Sequence, residues 1–251
     1  MHKIFFVLHF IIISFITFLF FGCKKGPTVI SYGDPSIRAE LAYYDQLDLP
    51  RAAVEVEGTE LLPIATINND TLELSGCNPE GEYMWESYFR GDVSTASDNE
   101  YELRVYHAGG EATATITMPG DFGITSPEEY DTITPSEDIT ISWNPSETAE
   151  RYKLSISLGY NYGDTADPSF RRFYLDTILS DIATSLTIQK ESVFPSEIDS
   201  IREGTGSLNI YAENGPQIGF SSEGNISGEG IGYFTAVNRR HVNFLIEDAS
   251  N

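Results

Sequence analysis

Ile139-Thr140-Ile141-Ser142-Trp143-Asn144-Pro145, followed by Tyr152-Lys153-Leu154-Ser155-Ile156-Ser157, is the stretch that decides the fold. Its period of two sends Ile139, Ile141 and Trp143 to one face and Thr140 and Ser142 to the other, and it does the same for Tyr152, Leu154 and Ile156. Asn144-Pro145 closes the first run, because proline cannot donate to a strand ladder. Two half-buried strands joined by a polar turn are the natural reading.

The same grammar extends in both directions. Tyr101–Tyr106 and Ala112–Met118 flank His107-Ala108-Gly109-Gly110-Glu111, whose glycines suit a tight hairpin, and alternation places Tyr101, Leu103 and Val105 on the buried face. Upstream lie Ala53, Val54 and Val56, then Leu61-Leu62, Ile64–Ile67, a turn at Asn68-Asn69-Asp70, then Leu72 and Leu74. Tyr83–Phe89 reads as a further strand closed by Gly91-Asp92. Downstream, Ser185–Ile188 and Leu208–Gly215 are strand-like. Ser196, Glu197, Ile198 and Ile201 predict one or two helical turns capped by Ser196. Tyr233–Val237 and His241–Ile246 predict a terminal hairpin turning at Asn238-Arg239-Arg240.

A core Trp two residues before a Pro, then a Tyr opening an alternating strand, resembles the fibronectin type III pattern; the positions here are Trp143, Pro145 and Tyr152. Ser185–Ile188 and Leu208-Asn209-Ile210-Tyr211-Ala212-Glu213-Asn214-Gly215 resemble later strands of that family, so the likeness covers roughly residues 124–220. The expected fold is all-β, with two tandem immunoglobulin/fibronectin III-like β-sandwich domains after a lipoprotein signal peptide. The expected divisions are residues 1–22 (signal), 23–34 (lipidated tether), 35–120 (immunoglobulin-like sandwich) and 121–251 (fibronectin type III-like sandwich).

Composition narrows the function. The 251 residues carry 38 Asp plus Glu against 15 Lys plus Arg, a net charge of −23, which opposes binding to a phosphate backbone and excludes nucleic acid as a partner. A hydrophobic fraction of 41% permits a real core, and 21 Gly with 12 Pro punctuate the chain at strand rather than helix intervals.

Ile4–Gly22 is a nearly unbroken apolar run after Lys3 and ends before Cys23-Lys24-Lys25. Phe20-Phe21-Gly22-Cys23 resembles the lipobox of bacterial lipoproteins, and the resemblance implies cleavage after Gly22 and acylation of Cys23. The alternative is an uncleaved anchor, since 19 helical residues reach roughly 28 Å, but Lys24-Lys25 would then hold the fold in the cytoplasm. A lipid anchor ahead of all-β modules resembles lipoproteins of Bacteroidetes-type bacteria. That likeness implies a bacterial cell envelope location, outer-membrane lipid-anchored, with the membrane as one partner. The other cysteine, Cys77, is expected at the start of a turn as a buried, unpaired thiol, because the residues around it are acidic rather than cationic.

Chemistry-bearing constellations are sparse. His107 and His241 fall in different halves with no metal-ligand spacing, no Gly-x-Ser-x-Gly elbow occurs, and Gly224–Gly230 lacks the Lys of a phosphate loop. No metal, cofactor or catalytic residue is expected. Glu128-Glu129-Tyr130-Asp131 and Asp164-Thr165-Ala166-Asp167 could supply oxygen ligands to calcium, or be solvated turns. Tyr160 and Tyr162, read as a Tyr160-Asn161-Tyr162-Gly163 loop, could offer aromatic faces to a ligand or pack at a rim. Five Asp-Ser/Thr-apolar triplets, at Asp70, Asp131, Asp164, Asp176 and Asp199, resemble the O-glycosylation acceptor of Bacteroidetes envelope proteins, while turns entering strands favour the same triplet. The function these features suggest is a non-catalytic, lipid-anchored envelope binding or scaffolding module with a protein or glycan partner. The alternatives are a carbohydrate-binding accessory lipoprotein of a glycan uptake system and a hydrolase without a recognisable motif.

Overall fold

A computed structural model describes residues 34–45, 47–80, 84–163, 169–196, 201–217 and 224–247, and they form an all-β fold of two sandwiches. The signal run and Cys23 lie outside the described residues. The first sandwich is built from β1 (Ser36–Tyr44), β2 (Arg51–Thr59), β3 (Ile64–Ile67), β4 (Asp70–Thr71), β5 (Glu73–Glu80), β6 (Met84–Asp92), β7 (Glu100–His107) and β8 (Gly110–Thr117). The second contains β9 (Ile124–Ser126), β10 (Thr132–Ile133), β11 (Ile139–Trp143), β12 (Arg151–Tyr162), β13 (Ser169–Ser180), β14 (Ser185–Ile188), the single turn α1 (Lys190–Val193) and β15 (Ile201–Asn214). β16 (Ser227–Gly228) and β17 (Ile231–Glu247) follow.

Alternation builds both cores. In the first, Ile37, Leu41, Val54 and Val56 of one sheet meet Ile67, Tyr101, Leu103 and Val105 of the other, all essentially inaccessible. In the second, Ile139, Ile141 and Trp143 of the β9-β11-β14 sheet face Tyr152, Leu154, Ile156, Leu208 and Ile210. The buried identities expected for Tyr101, Leu103, Val105, Trp143 and Tyr152 are those found. Asn68 and Asn69 take φ values of 48° and 73°, so the β3–β4 connection is a two-residue turn of the left-handed kind that asparagine tolerates.

The C-terminal stretch departs from expectation. Tyr233–Ile246 is no hairpin: β17 runs unbroken for 17 residues, with no left-handed residue at Asn238-Arg239-Arg240. Its first half pairs parallel with β1 (Ser36↔Ile231 to Tyr44↔Arg239) and its second half antiparallel with β15 (Glu203↔Glu247 to Asn214↔Ala236). Residues 236–239 are paired on both sides at once. A turn there would leave one of these edges unpaired, and a buried, unpaired backbone group is costly. The result is one continuous sheet, β13-β12-β15-β17-β1-β2-β6-β5, through both sandwiches. Phe234 and Ala236 belong to the first core, Phe244 and Ile246 to the second. The stretch expected to complete only the second domain therefore completes both.

The polar residues read as a turn instead bind the linker. Asn238 Nδ2 donates to Gly120 O at 3.0 Å, and the Arg240 guanidinium donates to Phe122 O at 2.8 Å, pairs with Asp121 and lies over the Phe122 ring. Asn214 Nδ2 adds a bond to Thr117 O at 2.7 Å.

Two smaller expectations change. The helical turn is Lys190–Val193, starting at Gln189 without a side-chain cap; residues 197–200 lie outside the described residues. Cys77 lies in β5, not in a turn, and is half-buried and disulfide-bonded. Strand β5 is the outer strand of its sheet, the position in which a strand proline is tolerated. Cys23 is the only other cysteine in the chain, so an intrachain disulfide at Cys77 and a thioether at Cys23 are exclusive alternatives.

Candidate functional site

Tyr160 and Tyr162 are not loop residues. The period of Tyr152, Leu154, Ile156 and Leu158 continues to the end of β12, so Tyr160 points inward, is fully buried, and donates its hydroxyl to Val193 O at 2.6 Å. Its ring packs 5.2 Å from Phe194, and half-buried Tyr162 lies 6.4 Å away. Tyr160 is a core residue and carries no ligand face, which corrects the expected loop pair.

The aromatics exposed together lie on the opposite face of the same sheet. A groove of about 640 Å³ crosses the outer surface of the second sandwich, with Ser157, Gly159, Thr205 and Ser207 as floor and Tyr130, Phe170 and Tyr174 as walls. These rings are 69%, 57% and 61% exposed. Register explains the clustering: Ser157 pairs with Tyr174, Gly159 with Arg172 and Asn161 with Phe170, so the outward residues of β13 stand beside a floor of small residues on β12. Gly159 keeps the floor open, since a Cβ there would meet the Phe170 ring at 2.8 Å. Arg172 lies 5.4 Å from the Phe170 ring centroid and reaches the Tyr174 hydroxyl, giving the wall a charged centre.

Tyr130 is held in place against its backbone preference. Its φ of 68° is left-handed, a conformation costing an L-residue about 1–2 kcal/mol. Three bonds to β17 maintain it: Tyr130 N donates to Asn243 O at 2.7 Å, Asn243 N donates to the Glu129 carboxylate at 2.8 Å, and Leu245 N donates to Asp131 O at 2.8 Å. The backbone N–H of Asn243, helped by its amide, holds the Glu129 carboxyl below its ordinary pKa. Glu129 and Asp131 thus serve as structural acceptors, Asp131 also receiving Glu128 N at 2.8 Å. Of the two acidic stretches considered for calcium this one builds the turn, and Asp164–Asp167 lies outside the described residues. The Asp70 and Asp131 triplets sit at strand entries, and the Asp176 triplet lies within β13.

One carboxylate cluster was not legible in the sequence. Glu55, Glu57 and Glu86 converge on the outer face of the first sandwich, where the Arg38 guanidinium bonds Glu55 and Glu57, each at 3.0 Å. The Tyr88 hydroxyl bonds Glu86, lowering the Glu86 pKa and pushing that of Tyr88 up to about 12. Arg38 already neutralises much of this charge, so the cluster reads as a cross-strand ion network. Near the junction, Arg239 lies between the Tyr44 and Tyr211 rings, 5.6 and 5.8 Å from their centroids, and bonds Asn209; His241 faces the same Asn209 oxygen at 3.1 Å. Partial desolvation of the carboxylate, then repulsion by Glu213, raises the pKa of Glu40 on this face.

No protein-family model matches the chain, and no curated protein matches it. Among solved structures, the chain is similar to the chicken CNTN1 FN1-FN3 domains at 10% sequence identity, over 89% of this chain and 69% of that one, with a TM-score of 0.28. The fold described above rests on the strands themselves.

Proposed function

We propose that this chain is an exported, non-catalytic binding module whose ligand surface is the aromatic-walled groove between Tyr130 and β13. Tyr130 carries the reading. An exposed aromatic held in a left-handed conformation by three bonds to β17 is backbone strain kept at a surface where it stabilises no core. Tyr130→Gly is expected to leave the melting temperature nearly unchanged, because glycine accepts this φ and little burial is lost, while ligand affinity falls about tenfold or more. A substantial fall in melting temperature with affinity intact would assign Tyr130 a structural role.

A glycan as ligand is favoured by one observation: flat rings beside a floor of hydroxyl groups from Ser157, Thr205 and Ser207 match the alternating apolar and polar faces of a sugar. Affinity electrophoresis of the protein and its Tyr174→Ala variant through gels containing neutral polysaccharides tests this directly. Retardation of the wild type alone is the expected result. Turnover of a polysaccharide, abolished by replacing a single carboxylate, would overturn the non-catalytic reading.

Envelope attachment through a lipid on Cys23 belongs to the same proposal. The apolar run ending in Gly22-Cys23 supports it. The intact mass of membrane-extracted protein is expected to include diacylglycerol on Cys23. A lipid-free mass with a Cys23–Cys77 disulfide would remove the anchor and retain export.

A further inference from the structure

We propose that β13 is a dimerisation edge, pairing antiparallel with β13 of a second copy of this chain about a two-fold axis through Tyr174. Strand β13 is 12 residues long, about 40 Å of extended backbone, and among the described residues it pairs with β12 alone. Long open edges are normally shortened, covered or broken by a bulge. This one instead exposes Phe170, Tyr174 and Ile178 on its outer face, the last 45% exposed.

The occupant is identified by the order of the side chains. Along the outer face the sequence reads Phe170, Arg172, Tyr174, Asp176, Ile178: apolar, cation, aromatic, anion, apolar. In an antiparallel pair centred on Tyr174, Arg172 of each copy stands opposite Asp176 of the other, and Phe170 stands opposite Ile178. The inner face then matches Phe173 with Leu175. Moving the axis to Phe173 or to Leu175 pairs Arg172 with Tyr174 or with Ile178 and leaves both charges unmatched. Shifting a copy by one residue sends every side chain to the wrong face. Among the described residues neither Arg172 nor Asp176 has an ion partner in its own chain. Opposite charges directly across an antiparallel pair are stabilising and like charges destabilising, so the arrangement selects self over other edges. The inference is independent of what the groove binds, because the partner strand adds beyond β13 and leaves the floor on β12 and β15 open.

Sedimentation velocity of the full chain in 0.15 M salt, in one detergent throughout, tests the register. Salt at that level screens the mutual repulsion of two chains of net charge −23. The wild type is expected to dimerise reversibly. Arg172→Asp or Asp176→Arg alone should weaken dimerisation at least about tenfold, since each reversal sets like charges opposite one another twice. The double variant Arg172→Asp/Asp176→Arg should dimerise again. The two single variants mixed together should also form a heterodimer, which shows that each is folded. A wild type that stays monomeric at its highest soluble concentration overturns the proposal, as does a dimer indifferent to these reversals.

Discussion

A chain ending at Pro119 will not fold, although it contains eight of the strands of the first sandwich. The missing elements are the two-residue β16, which pairs with β8, and the first half of β17, which pairs with β1 over nine residues and places Phe234 and Ala236 in the first core. Without the latter β1 becomes an open edge, and the inner face carrying Ile37, Ala39 and Leu41 loses its cover. A sandwich of fewer than ninety residues has little stability to lose, since small domains bury a smaller share of their surface. Within the intact chain, Phe234→Ala isolates the same contact and should cost about 3–5 kcal/mol, a large part of a typical domain's total. Circular dichroism and hydrogen exchange on the fragment read the result. A cooperative melt from residues 26–119 would show that the sandwich closes without β17 and that the shared strand is incidental.

The core was legible because period-two alternation is a property of neighbouring residues. Tyr101, Leu103 and Val105 announce their burial within five positions, as do Trp143 and the Tyr152 strand. The shared strand was not legible for the converse reason. Asn238-Arg239-Arg240 has turn-like polarity, and what makes it extended is a partner on each side: β1, some two hundred residues earlier, and β15. Composition reports that these residues are polar. It does not report that Asn238 and Arg240 reach the linker while Arg239 fills the space between two tyrosine rings.

The groove was missed through the same locality. Tyr160 and Tyr162 stand as a pair beside a glycine, yet residues two apart share a face, and the face of Tyr160 is already committed by Tyr152, Leu154 and Ile156. Extending the alternation four residues further would have placed Tyr160 in the core. The rings that are exposed come from β13 and from a turn forty residues earlier, and only the register of β12 with β13 and the bonds to β17 bring them together. One signal was available: Phe170, Arg172, Tyr174 and Ile178 put apolar and charged groups on the same face of one strand, which an ordinary solvated face has no reason to do.

Trp143→Ala is expected to destabilise the protein by about 3–5 kcal/mol, and Trp143→Phe by much less. The indole is 3% exposed and packs edge-on against Tyr152, ring centroids 5.4 Å apart at 60°, while Tyr152 in turn packs 6.0 Å from Phe122 of the linker. Truncation to alanine empties the centre of the second core. Phenylalanine retains most of the contact and removes the indole Nε1–H, which has no hydrogen-bond partner among the described residues and so carries a desolvation cost of about 1–3 kcal/mol. The alanine variant also bears on how the two sandwiches are coupled. Tyr152 fixes the linker through its hydroxyl, which accepts Ser146 N at 2.6 Å, and Ser146 Oγ bonds Gly120 O at 2.6 Å, beside the carbonyls that Asn238 engages. Loss of the second core should release both the linker and the second half of β17, whose first half completes the first core. Calorimetry is therefore expected to show one transition lowered as a unit in Trp143→Ala, with near-ultraviolet signals from both sandwiches lost together. Two separated transitions, with the first sandwich melting at its wild-type temperature, would mean that β17 joins the two cores without coupling their stability.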